Sequence, residues 1–323
     1  MKRLIKHALQ LGLALILGLA GFTAQGQKLE GTLRLLVGYS PGGASDRAAR
    51  LVGDALQKRY GVTVIVENRT GAGGRLAAQQ FKLATAADNV LMLGNPAVIT
   101  VAPLVFKDVG YDPEADFVPV SQVTSYEFGV AIGPQVPASQ LKDLLSWLAA
   151  NPRKAFFGVP ATGSLPHFFA LMIGERAGLK ADVVGYKGSA PLSTDLIGGQ
   201  IPVAVDTLDS LMPLHDGGKL KVLATSGRSR SLLAKDVPTF SEASVDLVAS
   251  GWNTFFAPRS MPADKVRDYA IAIQSVMADP ALRKQFVASS MDPVSASQEQ
   301  TISMLKAYRA QWEPVIKRSG FQE

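Results

Sequence analysis

The feature that most constrains the fold is a repeated unit: a short apolar run, a glycine turn, then an amphipathic helix. Thr32-Leu-Arg-Leu-Leu-Val37 reads as a strand and Gly38 to Gly43 as a turn. Ser45 to Tyr60 reads as a helix, because Ala48, Leu51, Val52, Ala55 and Leu56 recur at intervals of three and four. The unit repeats with the strand Val62 to Val66, the turn Gly71 to Gly74 and the helix Arg75 to Ala84, and Val90 to Leu93 supplies a third strand. Such repetition predicts a mainly parallel sheet with helices on its faces. In sheets of this kind ligands sit beyond the carboxyl ends of the strands, where both glycine turns fall.

The pattern restarts after Asp116-Phe-Val-Pro-Val120. Phe128 to Ile132, Ala155 to Val159, Val183 to Tyr186, Ile201 to Val205 and Leu220 to Ala224 read as strands. Leu141 to Ala150, a segment from near His167, and Ala190 to Ile197 read as helices. A second α/β unit follows. From Ala263 onward the chain reads as mostly helical, with Leu282, Phe286, Leu305, Tyr308 and Trp312 as packing positions. There is no low-complexity linker, so the two units are expected to be joined by crossing strands instead of a tether.

The beginning of the chain has a different character. Basic Met1-Lys-Arg-Leu-Ile-Lys6 leads into the apolar run Leu11 to Ala20 and then small residues ending Ala24-Gln-Gly26, the plan of a secretory signal peptide over residues 1–26. The apolar run is too short to cross a bilayer. Export to the periplasm is the expectation, and the absence of cysteine excludes disulfides, thiolate metal sites and a lipid-modified cysteine. Removing Lys2, Arg3 and Lys6 lowers the formal charge from +6 to +3, and the remaining basic residues are scattered, so nucleic acid is not an expected partner. The length beyond the leader suits two hydrophobic cores.

Both glycine turns lead from a strand into a helix, so free N–H groups at each helix start can face a bound anion. They can equally be tight turns in which Ser45 or Asp46 caps a helix. Gly38-Tyr-Ser-Pro-Gly42 also matches the G-x-S-x-G elbow of hydrolases, with Asp206 and His215 following in hydrolase order. The residue after the serine must donate its N–H to the oxyanion, however, and Pro41 has none. No catalytic residue is therefore assigned. His167 and His215 are the only histidines beyond the leader and neither stands in a metal-ligand spacing, so neither a metal nor a cofactor is expected. His167 can contact a ligand or orient its own loop; Asp206 can meet a ligand ammonium, a water or backbone N–H groups, or brace the loop that follows it. Trp252 and Asn253 read as hinge packing.

Four segments taken in order resemble the Bug receptor family, the extracytoplasmic solute receptors of tripartite tricarboxylate transporters. They are Tyr39-Ser-Pro-Gly-Gly-Ala-Ser-Asp-Arg-Ala-Ala-Arg50, Glu67-Asn-Arg-Thr-Gly-Ala-Gly-Gly74, Gly163-Ser-Leu-Pro-His167, and Tyr186-Lys-Gly-Ser-Ala-Pro191 running through Asp195-Leu-Ile-Gly-Gly-Gln200 to Asp206. Asp236-Val-Pro-Thr239 is a further match, whereas Thr70 and Ala87-Asp-Asn-Val90 depart from the family pattern.

The resemblance implies a bilobed, class II-like periplasmic binding fold, with domain 1 over residues 28–124 and 249–323 and domain 2 over residues 125–248. It implies a small carboxylate as ligand, membrane transporter subunits as partners and a monomeric receptor without enzymatic activity; a sensor signalling to another protein is the alternative. The implied contacts are Tyr39, Ser40, Gly42, Gly43, Ser45 and Asp46 in the first loop and Gly71, Ala72, Gly73 and Gly74 in the second. Asn95 lies after the third strand, and Thr162, Gly163, Ser164, His167 and Asp206 come from domain 2.

Overall fold

A computed structural model describes Leu29 and residues 31–180 and 182–322; the leader over residues 1–26 lies outside the described residues. The first β-turn-α unit forms as the periodicity requires: β1 (Thr32–Val37), α1 (Ala44–Tyr60), β2 (Thr63–Asn68), α2 (Arg75–Lys82) and β3 (Val90–Gly94). α1 buries Ala48, Ala49, Val52 and Leu56 and stops at Gly61, whose φ of 70° no β-carbon favours. Beyond β3 a π-helical turn, Ala97–Val101, runs into α3 (Ala102–Val105) and then α4 (Pro113–Asp116).

The long strand β4 (Phe117–Tyr126) is followed, after the single residue Glu127, by β5 (Phe128–Ile132). Next come α5 (Leu141–Ala150), β6 (Phe156–Val159), α6 (Leu165–Arg176), β7 (Asp182–Gly185), α7 (Ser189–Ile197), β8 (Val203–Thr207), α8 (Leu208–Asp216) and β9 (Lys221–Thr225). The chain returns through β10 (Gly251–Pro258) and finishes with α9 (Ala263–Met277), α10 (Pro280–Ala288), β11 (Asp292–Pro293) and α11 (Gln298–Ser319).

Two sheets result, ordered β11-β4-β10-β3-β1-β2 and β7-β6-β8-β5-β9. Both are mixed. The parallel pairing expected from the sequence holds for β1 with β2 and β3, and for β6 with β7 and β8. β10 is antiparallel to β3 and β4, and β5 to β8 and β9. The reason is the crossing: β4 continues almost directly into β5, and β10 returns beside β4, so these strands cannot follow the β-turn-α direction.

β3, β5 and β10 are buried along their whole length, and central strands covered on both faces account for their unbroken apolar runs. The C-terminal helix ties the sheets together through its aromatics. Trp312 is fully buried, meets Phe128 of β5 edge-on at 6.4 Å, and neighbours Tyr308 at 5.8 Å, which in turn meets Trp252 of β10 at 5.7 Å. Leu282, Phe286 and Tyr308 are likewise buried, while Leu305 is half-buried.

Candidate functional site

A cavity of about 290 Å³ opens where the two crossings meet. It takes Tyr39, Gly43, Ala44 and Ser45 from the β1–α1 junction, Asn95 from the end of β3, and Thr124 to Glu127 from the crossing. The second sheet contributes Thr207, Leu208 and Asp209 at the β8–α8 junction together with Ser231 and Leu233; Asn253 of β10 and Ser290 to Asp292 around β11 complete the wall. Its size is near the lower end for small-molecule sites.

The N-terminus of α1 forms one end. Gly43 is the N-cap and offers no side-chain acceptor, so the first-turn amides of this 17-residue helix keep their donors for another group. Aligned peptide dipoles add partial positive charge there. Asp46 shapes the preceding loop without lining the cavity. Its Oδ2 accepts the Gly42 N–H at 2.8 Å and Arg50 Nε at 2.9 Å, and its Oδ1 accepts Asn68 Nδ2 at 2.9 Å. Burial works against ionisation of Asp46, but the Arg50 guanidinium and the Gly42 and Asn68 amides outweigh it and hold its pKa below the ordinary carboxylate value. Gly42, at φ 84°, makes the turn that brings its N–H back to this carboxylate.

Ser45 Oγ donates to Asn253 Oδ1 at 2.9 Å, and Asn253 Nδ2 donates to Thr124 Oγ1 at 2.8 Å. All three residues are buried, and Asn253 and Thr124 are register partners on β10 and β4. The helix start is thereby fixed to both crossing strands. Asn253, expected as hinge packing, lies on β10 beside β4 and also lines the cavity. Trp252 is packing alone: it is buried, and it is absent from the lining.

The second glycine turn supports the first from behind. A β-carbon on Gly38 would fall 2.8 Å from Gly74 Cα, and one on Gly74 would fall 2.8 Å from Val98 Cγ2, so the loops approach as closely as their backbones permit. Tyr39 Oη donates to the Gly73 carbonyl at 3.2 Å and pairs with Asn95, whose Nδ2 donates to it at 2.8 Å. Tyr39 and Asn95 reach the cavity; Gly71, Ala72, Gly73 and Gly74 do not line it, and neither do Ser40 and Gly42.

Thr162, Gly163 and Ser164 form the β6–α6 turn and His167 stands in the first turn of α6, all outside the lining. His167 Nδ1 accepts the Gly163 N–H at 2.8 Å, and Ser164 caps α6 by accepting the His167 N–H at 3.4 Å. Burial lowers the His167 pKa, and its ring stacks on Phe168 and meets Phe321 edge-on. Its contacts orient the loop. Asp206 is buried, and its Oδ1 accepts the Thr207 N–H at 2.7 Å. Burial pushes Asp206 up to about 6, with the Ser189 hydroxyl and the Thr207 amide offsetting part of the rise. It lies one residue behind the lining residue Thr207.

The hydrolase elements are not assembled. His215 Nδ1 accepts the Val222 N–H at 3.2 Å and Asp206 is engaged with Thr207, so no hydrogen bond among the described residues joins Ser40, Asp206 and His215. No cluster of three metal-ligating side chains occurs among the described residues, and no helix there is long and apolar enough to cross a membrane.

Among the lining residues that the sequence did not single out are Glu127, Asp209, Ser231 and Asp292. The β8–α8 junction carried the one available signal, a strand running directly into a helix start. Asp292 carried none: it is brought to the cavity by pairing of the two-residue strand β11 with Ser125 and Thr124 of β4.

Comparison with known proteins agrees with this architecture. The profile of the tripartite tricarboxylate transporter family receptor matches residues 48–321. A UPF0065 protein of Bordetella bronchiseptica is 31% identical over 90% of this chain and 86% of its own length. BugT of Bordetella pertussis is 27% identical over 89% of each chain. Among solved structures, a periplasmic transporter protein superposes with a TM-score of 0.75 at 31% identity, covering 91% of this chain and 98% of its own. The R. palustris protein Rpa4515 with adipate superposes at 0.77 and 28% identity, covering 90% and 98%.

Proposed function

The chain belongs to the tripartite tricarboxylate transporter receptor family, and from that premise we propose that it is a periplasmic receptor that captures a small carboxylate in the cavity at the two crossings. One observation carries the reading: the N-terminus of α1, without a capping side chain, opens into the cavity beside Ser45. A carboxylate seated there would accept the free first-turn amides and meet the positive end of the helix dipole. The R. palustris relative solved with adipate supports the ligand class.

Residues 28–124 with 249–323 form one lobe and residues 125–248 the other; closure about the crossings at Glu127 and Gly251 traps the ligand between them. Tyr39, Gly43, Ser45 and Asn95 contact it directly. Ser40, Gly42, Asp46, the Gly71 to Gly74 turn, the Thr162 to His167 turn and Asp206 hold the cradle in shape. The leader over residues 1–26 is removed on export, and the loaded receptor delivers its ligand to membrane transporter subunits. Binding without chemistry suits Ser40, because the following Pro41 cannot donate to an oxyanion.

Ligand-dependent stabilisation tests the reading. A ligand that binds only the native state adds about 2.7 kcal/mol at 100 times its dissociation constant, a rise in melting temperature of roughly 5 °C. Carboxylates should give this shift and their esters should not. A panel of mono-, di-, tri- and amino carboxylates without effect, against a shift from an uncharged sugar, would remove the carboxylate assignment.

A further inference from the structure

The crossing strands are not all that joins the two sheets. α11 is anchored at its start to the first sheet: Ser121 Oγ of β4 donates to the Ala296 carbonyl at 2.8 Å, the Gln122 N–H donates to Thr301 Oγ1 at 3.0 Å, and Gln298 Nε2 donates to the Pro119 carbonyl at 2.8 Å. Its 22 residues carry the chain about 33 Å. The far end lies on the second sheet's side, where Arg318 pairs with Glu175 of α6 at 3.2 Å. Both side chains of that pair are more than half exposed, at 58% and 65%, so it holds the helix end only weakly.

The stronger contact follows one turn later. Gly320 caps α11 at φ 65°, the left-handed conformation that glycine adopts without a β-carbon penalty, and Ser319 Oγ accepts the Phe321 N–H at 3.2 Å. This reversal lays the half-buried Phe321 ring on the β6–α6 turn, edge-on to His167 at 5.6 Å and to Phe168 at 6.2 Å. The receiving surface is shaped for a ring. A β-carbon on Gly163 would fall 2.6 Å from Phe321 Cε1, so glycine leaves the space that the ring fills. His167 is held by the Gly163 N–H on its Nδ1 and stacks at 5.1 Å on Phe168, which is itself fully buried.

A different contact between the two units lies at the cavity, where Ser231, beyond β9, donates to Asp292 Oδ2 of β11 at 3.2 Å. Water can replace that single hydrogen bond when the units separate, whereas nothing replaces the apolar contact that the three rings lose. Neither Phe321 nor the turn beneath it lines the cavity. We propose that Phe321 is an inter-lobe clasp: seated on Gly163, His167 and Phe168, it fixes the end of α11 to the second lobe, so that the lobes swing about the α11 side and part at Ser231 and Asp292. The proposal rests on the division into two lobes drawn above and is independent of what the cavity binds.

The test measures the lobe angle directly in the ligand-free mature chain. The sequence contains no cysteine, so Lys58→Cys on α1 and Lys142→Cys on α5, both exposed, give one spin label in each lobe. Double electron–electron resonance should show one narrow distance distribution with Phe321 in place. Phe321→Ala, or removal of residues 320–323, should broaden it about two-fold or more while thermal melting remains cooperative. Phe321→Leu, which keeps an apolar contact, should restore most of the narrow distribution, and Arg318→Ala should leave it unchanged. An unchanged distribution in both Phe321→Ala and the truncated chain would overturn the clasp and leave the two lobes standing. Faster hydrogen exchange at Gly163 in Phe321→Ala with unaltered distances would also overturn it, since Phe321 would then only cover its turn. Broadening by Ser231→Ala as large as that by Phe321→Ala would place the restraint at the cavity and refute a pivot at α11.

Discussion

Replacing Asp46 with alanine separates a residue that builds the cradle from one that touches the ligand. The buried Asp46 carboxylate accepts three hydrogen bonds, from Gly42, Arg50 and Asn68, at 2.8 to 2.9 Å. Hydrogen bonds to a charged group are worth about 1.5–3 kcal/mol each, but Arg50 is half-exposed and recovers water when its partner goes. The net cost should therefore be about 2–4 kcal/mol. For a chain of this size that lowers the melting temperature of the ligand-free protein by about 4–8 °C. Loss of the Gly42 tether loosens the backbone that presents Gly43 and Ser45, so carboxylate affinity should also fall about ten-fold, or about 1.4 kcal/mol. The pH dependence follows from the depressed pKa: the stabilisation is present above the unfolded value of 3.8 and is lost as pH falls through the folded value. Thermal melts from pH 7 down to pH 3 should show wild type converging on the Asp46→Asn variant in acid. The reasoning is refuted if Asp46→Ala melts within about 1 °C of wild type without ligand yet loses binding, since that pattern belongs to a direct contact.

Two further outcomes are expected. Glu127 is the opposite electrostatic case, raised from 4.5 to about 7, so the folded state holds the proton more tightly and stability falls as pH rises from about 4.5 to about 7; Asp292, which faces it, is raised by burial and acts in the same direction. The shift corresponds to at most roughly 3 kcal/mol, reduced to about 1–2 kcal/mol by the partial opening of Glu127 to the cavity. Glu127→Gln should flatten the denaturation midpoint across that range, and an unaltered pH profile would contradict the assignment. Gly163→Ala should cost about 1–2 kcal/mol, because φ is +71° there and the new β-carbon would fall 2.6 Å from Phe321 Cε1. Adding Phe321→Ala should relieve the contact and leave the backbone cost, a coupling that a double-mutant cycle in urea denaturation measures.

The sequence by itself determined what is local. The three- and four-residue spacing of Ala48, Leu51, Val52, Ala55 and Leu56 specified α1 to within a residue of its start, and the glycine turns placed both loops at strand ends. Pro41 sufficed to disfavour the hydrolase elbow, because a missing N–H is a property of one residue. The sequence also pointed to Tyr39, Gly43, Ser45 and Asn95, which belong to the motif-bearing loops of the first sheet. The direction of the crossing strands was not readable in the same way, since an apolar run such as Phe128 to Ile132 looks alike in a parallel and an antiparallel neighbour. That direction arises only when β4 continues through Glu127 into β5 and β10 returns beside β4. Tertiary structure also sorted the candidates: Asp46 spends its oxygens on Gly42, Arg50 and Asn68, and His167 its Nδ1 on Gly163, whereas Asn253 links Ser45 to Thr124 over separations of 208 and 129 residues. Glu127, Asp209 and Asp292 come together from three distant segments. No spacing in the chain could announce that meeting, because the charge of the cavity is set by which strand ends and helix starts the two sheets bring face to face.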